Sequence, residues 1–247
     1  MKISHMIAGI FLLSLNSFAG TVIASGDSTI AVSVTGGNAT FFSNVLGSGT
    51  SVLIQELESG TAAYGGDIAT YYNGLAGVTA TQTTSTSVTS LTGVNLFITM
   101  LPQAAYSAGE LSAMGSFLSG GGTLFFIGES SGYSGGGVAD PIITSTLGLL
   151  GSAMTMSGND GSSYPMNAVV VSNPLTAGVG AFVYGFTSFV SGGTALFETS
   201  SGAAQGSPFV EVQTIGGTST TPEPVSEVLM LGGLAGLGLL ARRKKNV

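Results

Sequence analysis

The sequence predicts an α/β protein built on an open, mainly parallel sheet, with a second half richer in strands. Three observations carry that expectation: a strand–helix–strand unit at the centre, clear start and stop signals on its helix, and a crowd of short β-like runs later on. Val94 to Thr99 is a continuous apolar strand ended by Leu101-Pro102, and Thr123 to Ile127 is another. Between them Ser107 stands three residues before Glu110, the Ser-x-x-Glu spacing of a capping box. Leu111, Met114, Phe117 and Leu118 then share one helical face, and Gly120-Gly121-Gly122 stops the helix. Strand, helix and strand within about 35 residues form a crossover, which implies parallel pairing.

The other elements follow in order. Thr29 to Val34 alternates apolar and small residues and reads as a first strand, closed by Gly36-Gly37. Asn38 is placed to cap a short helix through Leu46. Val52-Leu53-Ile54 is a strand and Ile68 to Leu75 a helix. Thr79 to Thr92 is rich in Ser and Thr; part of it reads as a strand, with an internal linker as the other reading. A helix is expected from Asp140-Pro141 to Leu150, then strands over Ala168–Val171, Ala181–Tyr184, Thr194–Phe197 and Phe209–Ile215.

Both ends carry targeting signals. Lys2, the apolar run Ile7 to Leu15 and the small residues Ser17 and Ala19 form the three parts of a secretory signal peptide, over 1–19. Cleavage is expected between Ala19 and Gly20, after passage through the secretion translocon. The exported domain then spans 20–218 and a C-terminal segment 219–247. That segment holds Pro222-Glu223-Pro224, an uncharged hydrophobic helix over 228–241, and Arg242-Arg243-Lys244-Lys245. The apolar run is shorter than the ~20 residues of a comfortable membrane span. A basic flank orients such a helix with the body outside, while the prolines separate it from the body.

Pro-Glu-Pro, an apolar helix and a basic end, in that order at the terminus, resemble the PEP-CTERM sorting signal. The resemblance covers Pro222 to Lys245, with Thr221 where the family often has Val. It implies an exosortase-type protease as partner and an inner-membrane intermediate held by the helix. Release to the cell surface or extracellular matrix of a Gram-negative bacterium follows. A permanent anchor is the other reading of the same tail.

Composition excludes several functions. Residues 20–218 hold ten acids and no Lys, Arg, His, Cys or Trp, a formal charge of −10. Nucleic-acid binding rests on Lys and Arg against phosphates, so nucleic acid is not an expected partner. His5, the sole histidine, lies in the signal peptide, leaving the body no imidazole for proton transfer or metal ligation. No cofactor or metal site is expected, since Asn159-Asp160-Gly161 lacks the spaced ligands of a calcium loop. An apolar share of 44% suffices for a folded core.

Two motifs invite a catalytic reading. Gly128-Glu129-Ser130-Ser131-Gly132 follows an apolar strand and matches the G-x-S-x-G nucleophile elbow. That turn needs a base to take the serine proton, and the body offers neither His nor Lys. Paired carboxylates suffice for glycoside hydrolysis, which makes Glu56 with Glu58, and Glu129 at a strand end, the acids to watch. Sugar sites commonly stack their ligands on aromatic rings, however, and the Tyr and Phe residues here are read mostly as core. Asn38-Ala39-Thr40 meets the glycosylation pattern, with the Thr79–Thr92 stretch as a second place for sugar attachment.

The centre also resembles the class I glutamine amidotransferase-like fold, a flavodoxin-like architecture, in its non-catalytic branches. The matching parts are the strand ending at Leu101-Pro102, the Ser-x-x-Glu helix, the triple-glycine turn and the strand ending at Gly128. Asn173-Pro174-Leu175-Thr176-Ala177-Gly178-Val179 resembles a segment of such domains. The resemblance spans Thr29 to Phe197 and implies that the family's nucleophile would stand near Glu129, where this chain has no Cys. The expected function is therefore a non-enzymatic, exported surface or matrix protein, its body a structural or binding module in exopolysaccharide. The alternative is a carboxylate-dependent surface glycosidase or other hydrolase.

Overall fold

The central unit forms as its sequence predicts. In the computed structural model, Leu96–Met100 and Thr123–Ile127 lie side by side and parallel, with Ile98 opposite Phe125. The helix between them, Ala108–Ser119, starts in a complete capping box: Glu110 N–H donates to Ser107 Oγ, and Ser107 N–H donates to Glu110 Oε2 at 2.8 Å. The structure describes residues 19–32, 34–57, 64–133, 135–161, 163–201 and 204–216. The expected signal-peptide core, Glu58, the Pro222-Glu223-Pro224 motif, the expected helix over 228–241 and the basic end lie outside them. Among the described residues no helix is long and apolar enough to cross a membrane.

Chain order gives β1 (Gly20–Ser25), α1 (Gly36–Leu46), β2 (Ser51–Glu56), α2 (Tyr64–Asn73), β3 (Thr79–Thr83), β4 (Leu96–Met100), α3 (Ala108–Ser119), β5 (Thr123–Ile127) and α4 (Gly136–Leu149). The second half adds β6 (Thr155–Ser157), β7 (Met166–Asn167), β8 (Val169–Val170), β9 (Val183–Tyr184), β10 (Phe189–Ser191), β11 (Thr194–Glu198) and β12 (Pro208–Ile215). One eight-stranded sheet runs β3-β2-β4-β5-β1-β12-β11-β8. Its first five strands are mutually parallel, and β12, β11 and β8 extend it antiparallel. Two small antiparallel pairs, β6 with β10 and β7 with β9, complete the β-rich half.

Strand alternation builds two cores. Ile23, Phe125 and Ile127 face the helices α1 and α2, where Phe41, Phe42 and Tyr72 are fully buried. Val22, Ala24, Leu124 and Phe126 face α3 and α4, meeting Met114, Leu118, Ile143 and Leu147. A sheet covered on both faces explains why β4 and β5 read as unbroken apolar runs. In the first core Phe182 stacks on Phe197 at 3.6 Å between ring centroids, and Phe41 meets both rings edge-on.

Several sequence expectations are corrected. The first strand is Gly20–Ser25, not Thr29–Val34; Thr29–Ala31 is instead a 3-10 turn, because Thr29 N–H donates to Asp27 Oδ1 at 2.6 Å. Asn38 does not cap α1, whose N-cap is Thr35. Its buried amide donates to the Ile30 and Val183 carbonyls and accepts from Val183 N–H, so the folded chain offers no acceptor there for a glycan. The helix expected from Asp140-Pro141 starts earlier, at Gly136, and carries Pro141 inside it. The Ser/Thr-rich stretch is strand only over Thr79–Thr83.

Candidate functional site

The parallel strands β1 and β5 end together, and each continues into a loop that starts with glycine and carries an acid. Gly26-Asp27-Ser28 follows β1 and Gly128-Glu129-Ser130 follows β5. Open α/β sheets place ligands beyond this carboxyl edge of their strands. Gly128 N–H donates to Ser25 O at 2.7 Å, which ties the two loops at their roots. A Cβ at Gly128 would run into Asp140 Oδ1 and the methyl group of Met156, so a larger residue there has to displace one or both side chains.

Each carboxyl is held in place. Asp27 is fully buried, accepting from Thr29 N–H through Oδ1 and from Gly185 N–H through Oδ2 at 2.9 Å. Glu129 accepts from Ser28 Oγ at 2.6 Å through Oε2 and from Ser130 N–H at 2.7 Å through Oε1. Asp140, from α4, accepts from Glu129 N–H at 3.3 Å. Burial pushes the Asp27 carboxyl up to about 7, against the lowering effect of its hydrogen bonds. Burial, and then the charge of Asp27, push Glu129 up to about 8. Asp140 rises to about 6, again chiefly by burial. With no basic side chain in residues 20–218, only hydrogen bonds and no cation of the body favour the charged forms.

Glu129 borders a cavity of about 620 Å³ whose lining includes Ser28, Tyr64, Tyr133, Tyr164 and Phe186. Tyr133, Tyr164 and Phe186 are each 40–46% exposed and stand together at this cavity. Phe186 also holds a left-handed backbone at φ 51, a strained state for a bulky residue, while its carbonyl accepts from Ser130 N–H. Asn159 and Gly161 line the same cavity. Asp160 between them is buried, and its Oδ2 has no hydrogen-bond partner. A larger cavity of about 700 Å³, lined by Gly49, Asn95, Gly122 and Thr123 among others, carries no titratable side chain.

Comparison with known proteins gives no matching family model, curated protein or solved structure.

The elbow residues Gly128, Glu129, Ser130 and Gly132 do sit at the end of β5, and the cleft takes in Glu129, Ser130 and Gly132. Ser130 is buried, and its Oγ accepts from Gly132 N–H at 3.3 Å. The acids beside it make poor bases while protonated. Glu56 ends β2 and accepts from Gln82 Nε2 at 2.7 Å, apart from the cleft lining. Asn173 and Thr176 cap each other across a short 3-10 turn, which docks on α1 through Asn44. That segment is structural. Among the described residues no group of three acids is placed to hold a metal ion.

The aromatic rim is the correction that matters most for function, because Tyr64, Tyr133, Tyr164 and Phe186 are not simply core. A usable signal was present: Tyr133, Tyr164 and Phe186 stand among Gly, Ser and Pro, outside any helical or strand periodicity. Asp27 left no comparable signal, since its role depends on β1 and β5 meeting.

Proposed function

We propose that the chain is an exported, non-enzymatic surface or extracellular-matrix protein, sorted through Pro222-Glu223-Pro224 and its basic end. Its α/β body acts as a binding module in exopolysaccharide. The amidotransferase-like reading of the body draws support from the strand order. With β2 counted first, β3-β2-β4-β5-β1 follows the 2-1-3-4-5 order of flavodoxin-like sheets, the N-terminal strand taking the fifth place.

One observation carries the choice of binding over hydrolysis: of the Asp27–Glu129 pair, only Glu129 lines the cleft. Glycoside hydrolysis uses two carboxyls that both reach the sugar. Asp27 is fully buried, with a backbone N–H on each oxygen, so it acts as a buried partner of Glu129 rather than a second reacting acid. The raised carboxyl of Glu129 beside aromatic rings is what favours the competing hydrolase reading.

Co-sedimentation of the purified protein with exopolysaccharide, paired with an assay for new reducing ends, separates the two. Binding without new reducing ends is the expected result. Reducing ends that appear with the wild type and vanish with Glu129→Gln would establish the hydrolase instead.

A further inference from the structure

Glu129 borders a cleft rimmed by four aromatic side chains, in a body without one basic residue. Asp27, Glu129, Asp140 and Asp160 are all buried, and Asp160 Oδ2 is unpartnered beside the lining residues Asn159 and Gly161. Buried carboxyls are ordinarily offset by a cation or kept neutral. Burial keeps Asp27, Glu129 and Asp140 neutral at mildly acidic pH, and any cation that pairs with their charged forms comes from outside the body.

We propose that the cleft binds an organic ammonium ion, surrounded by Tyr64, Tyr133, Tyr164 and Phe186, with the Glu129 carboxylate as its counter-ion. This takes the cleft as a binding site, as proposed above, and adds the charge of the ligand. Aromatic rings attract cations through the negative potential of their faces, and several rings with one acid form the usual receptor for an ammonium group. The phenols converge: Tyr64 is pushed up by burial and then by Tyr133, Glu129, Asp27 and Tyr164 nearby. A volume of about 620 Å³ accommodates a ring-sized ligand.

Other ligand charges fit less well. Anions would meet a body carrying ten acids and no base. Hard divalent cations want six or more oxygen ligands, and the rim is mostly aromatic. A neutral sugar would stack on the rings without using the charged form of Glu129. The ammonium group of an amino sugar within a polymer, or of a free amine, supplies the missing charge.

Binding is coupled to protons. The groups facing Glu129 are Asp27 after β1, Asp140 from α4, Tyr64 from α2, and Tyr133 and Tyr164 from the loops. None of them supplies positive charge, so the ligand itself draws Glu129 into its ionised form and releases a proton. Affinity for a fixed-charge ammonium such as choline therefore rises with pH between about 6 and 8, by up to about tenfold per pH unit, while a titratable amine loses its own charge toward the top of that range.

Calorimetry on the full chain in detergent, with choline and glucosamine against glucose and N-acetylglucosamine, tests this. Choline and glucosamine should bind, and their neutral counterparts should bind at least about tenfold more weakly. Binding of glucosamine alone assigns the amino sugar as the source; binding of both assigns the ammonium group itself. Glu129→Gln should weaken binding about tenfold and flatten its pH dependence. The double variant Tyr133→Leu/Tyr164→Leu, at partly exposed positions, should weaken it without altering the pH dependence, its folding checked by circular dichroism. Equal binding of neutral and cationic sugars, lost in the tyrosine variant, overturns the ammonium assignment and leaves the binding module standing. Failure of every probe to bind overturns both.

Discussion

Ser28 and Glu129, 101 residues apart in the chain, meet through a 2.6 Å hydrogen bond from the serine hydroxyl to Oε2. That bond joins the loop after β1 to the loop after β5. It also favours the charged form of a carboxyl that burial keeps neutral. Ser28→Ala should therefore raise the Glu129 titration midpoint further, by about one to two pH units, since a hydrogen bond to a charged group is worth ~1.5–3 kcal/mol. Carboxyl NMR titration of the variant reads this, and a midpoint that falls would contradict the assigned geometry.

Stability should increase on acidification. Asp27, Glu129 and Asp140 have folded values raised above those of unfolded carboxyls. A raised carboxyl contributes stability that is fully present below about pH 4 and is lost as pH rises through the folded value, here between about 6 and 8. A folded-state midpoint one pH higher than the unfolded one corresponds to about 1.4 kcal/mol. Thermal unfolding should show a higher Tm at pH 5 than at pH 8.5, with a shallower slope in Asp27→Asn. A Tm that climbs steadily from pH 5 to pH 8.5 would rule out protonated acids at the strand ends.

Two glycines should respond in opposite ways to alanine. Gly128 leaves no room for a Cβ beside Asp140, whereas a Cβ at Gly115 in α3 meets nothing within 4 Å. Gly115→Ala should stabilise by about 0.5–1 kcal/mol, the gain of alanine over glycine in a helix. Gly128→Ala should destabilise by about 1–3 kcal/mol through overpacking. Denaturant midpoints of the two variants measure this, and equal changes would mean that the loop after β5 is not closely packed on Asp140.

Sorting should depend on the prolines of the tail. Under the proposed sorting reading, Pro222→Ala with Pro224→Ala would remove the break between the apolar run and the body. In a host with the sorting protease, that variant should accumulate at the inner membrane with its tail intact. Fractionation and immunoblotting report the outcome, and equal release of variant and wild type would leave a plain anchor as the better account.

What was legible in the sequence was local. The capping box of Ser107 and Glu110 and the apolar runs of β4 and β5 fix their own conformations through neighbours in the chain, and the structure has them as read. β1 escaped because Gly20–Ser25 abuts the segment read as a signal peptide and gains its partners β5 and β12 only from distant sequence. The turn after it depends on the Asp27 carboxylate, a side-chain bond that periodicity does not register. At the site, Glu129 was legible as an acid at a strand end. Tyr133, Tyr164 and Phe186 were legible only as aromatics outside any periodicity; that they meet Tyr64 in one cleft was not, because the four come from separate segments.

The central claim is that Asp27 and Glu129 form a buried acid pair without a counter-cation in the body, one of them open to the cleft. Side-chain carboxyl 13C titration of the wild-type protein tests it most directly, with Asp27→Asn and Glu129→Gln assigning the signals. Both carboxyls should remain protonated at pH 6 and ionise in the neutral range, toward about 7 for Asp27 and about 8 for Glu129. Midpoints near 4 for both, the values of ordinary solvated carboxyls, would contradict it.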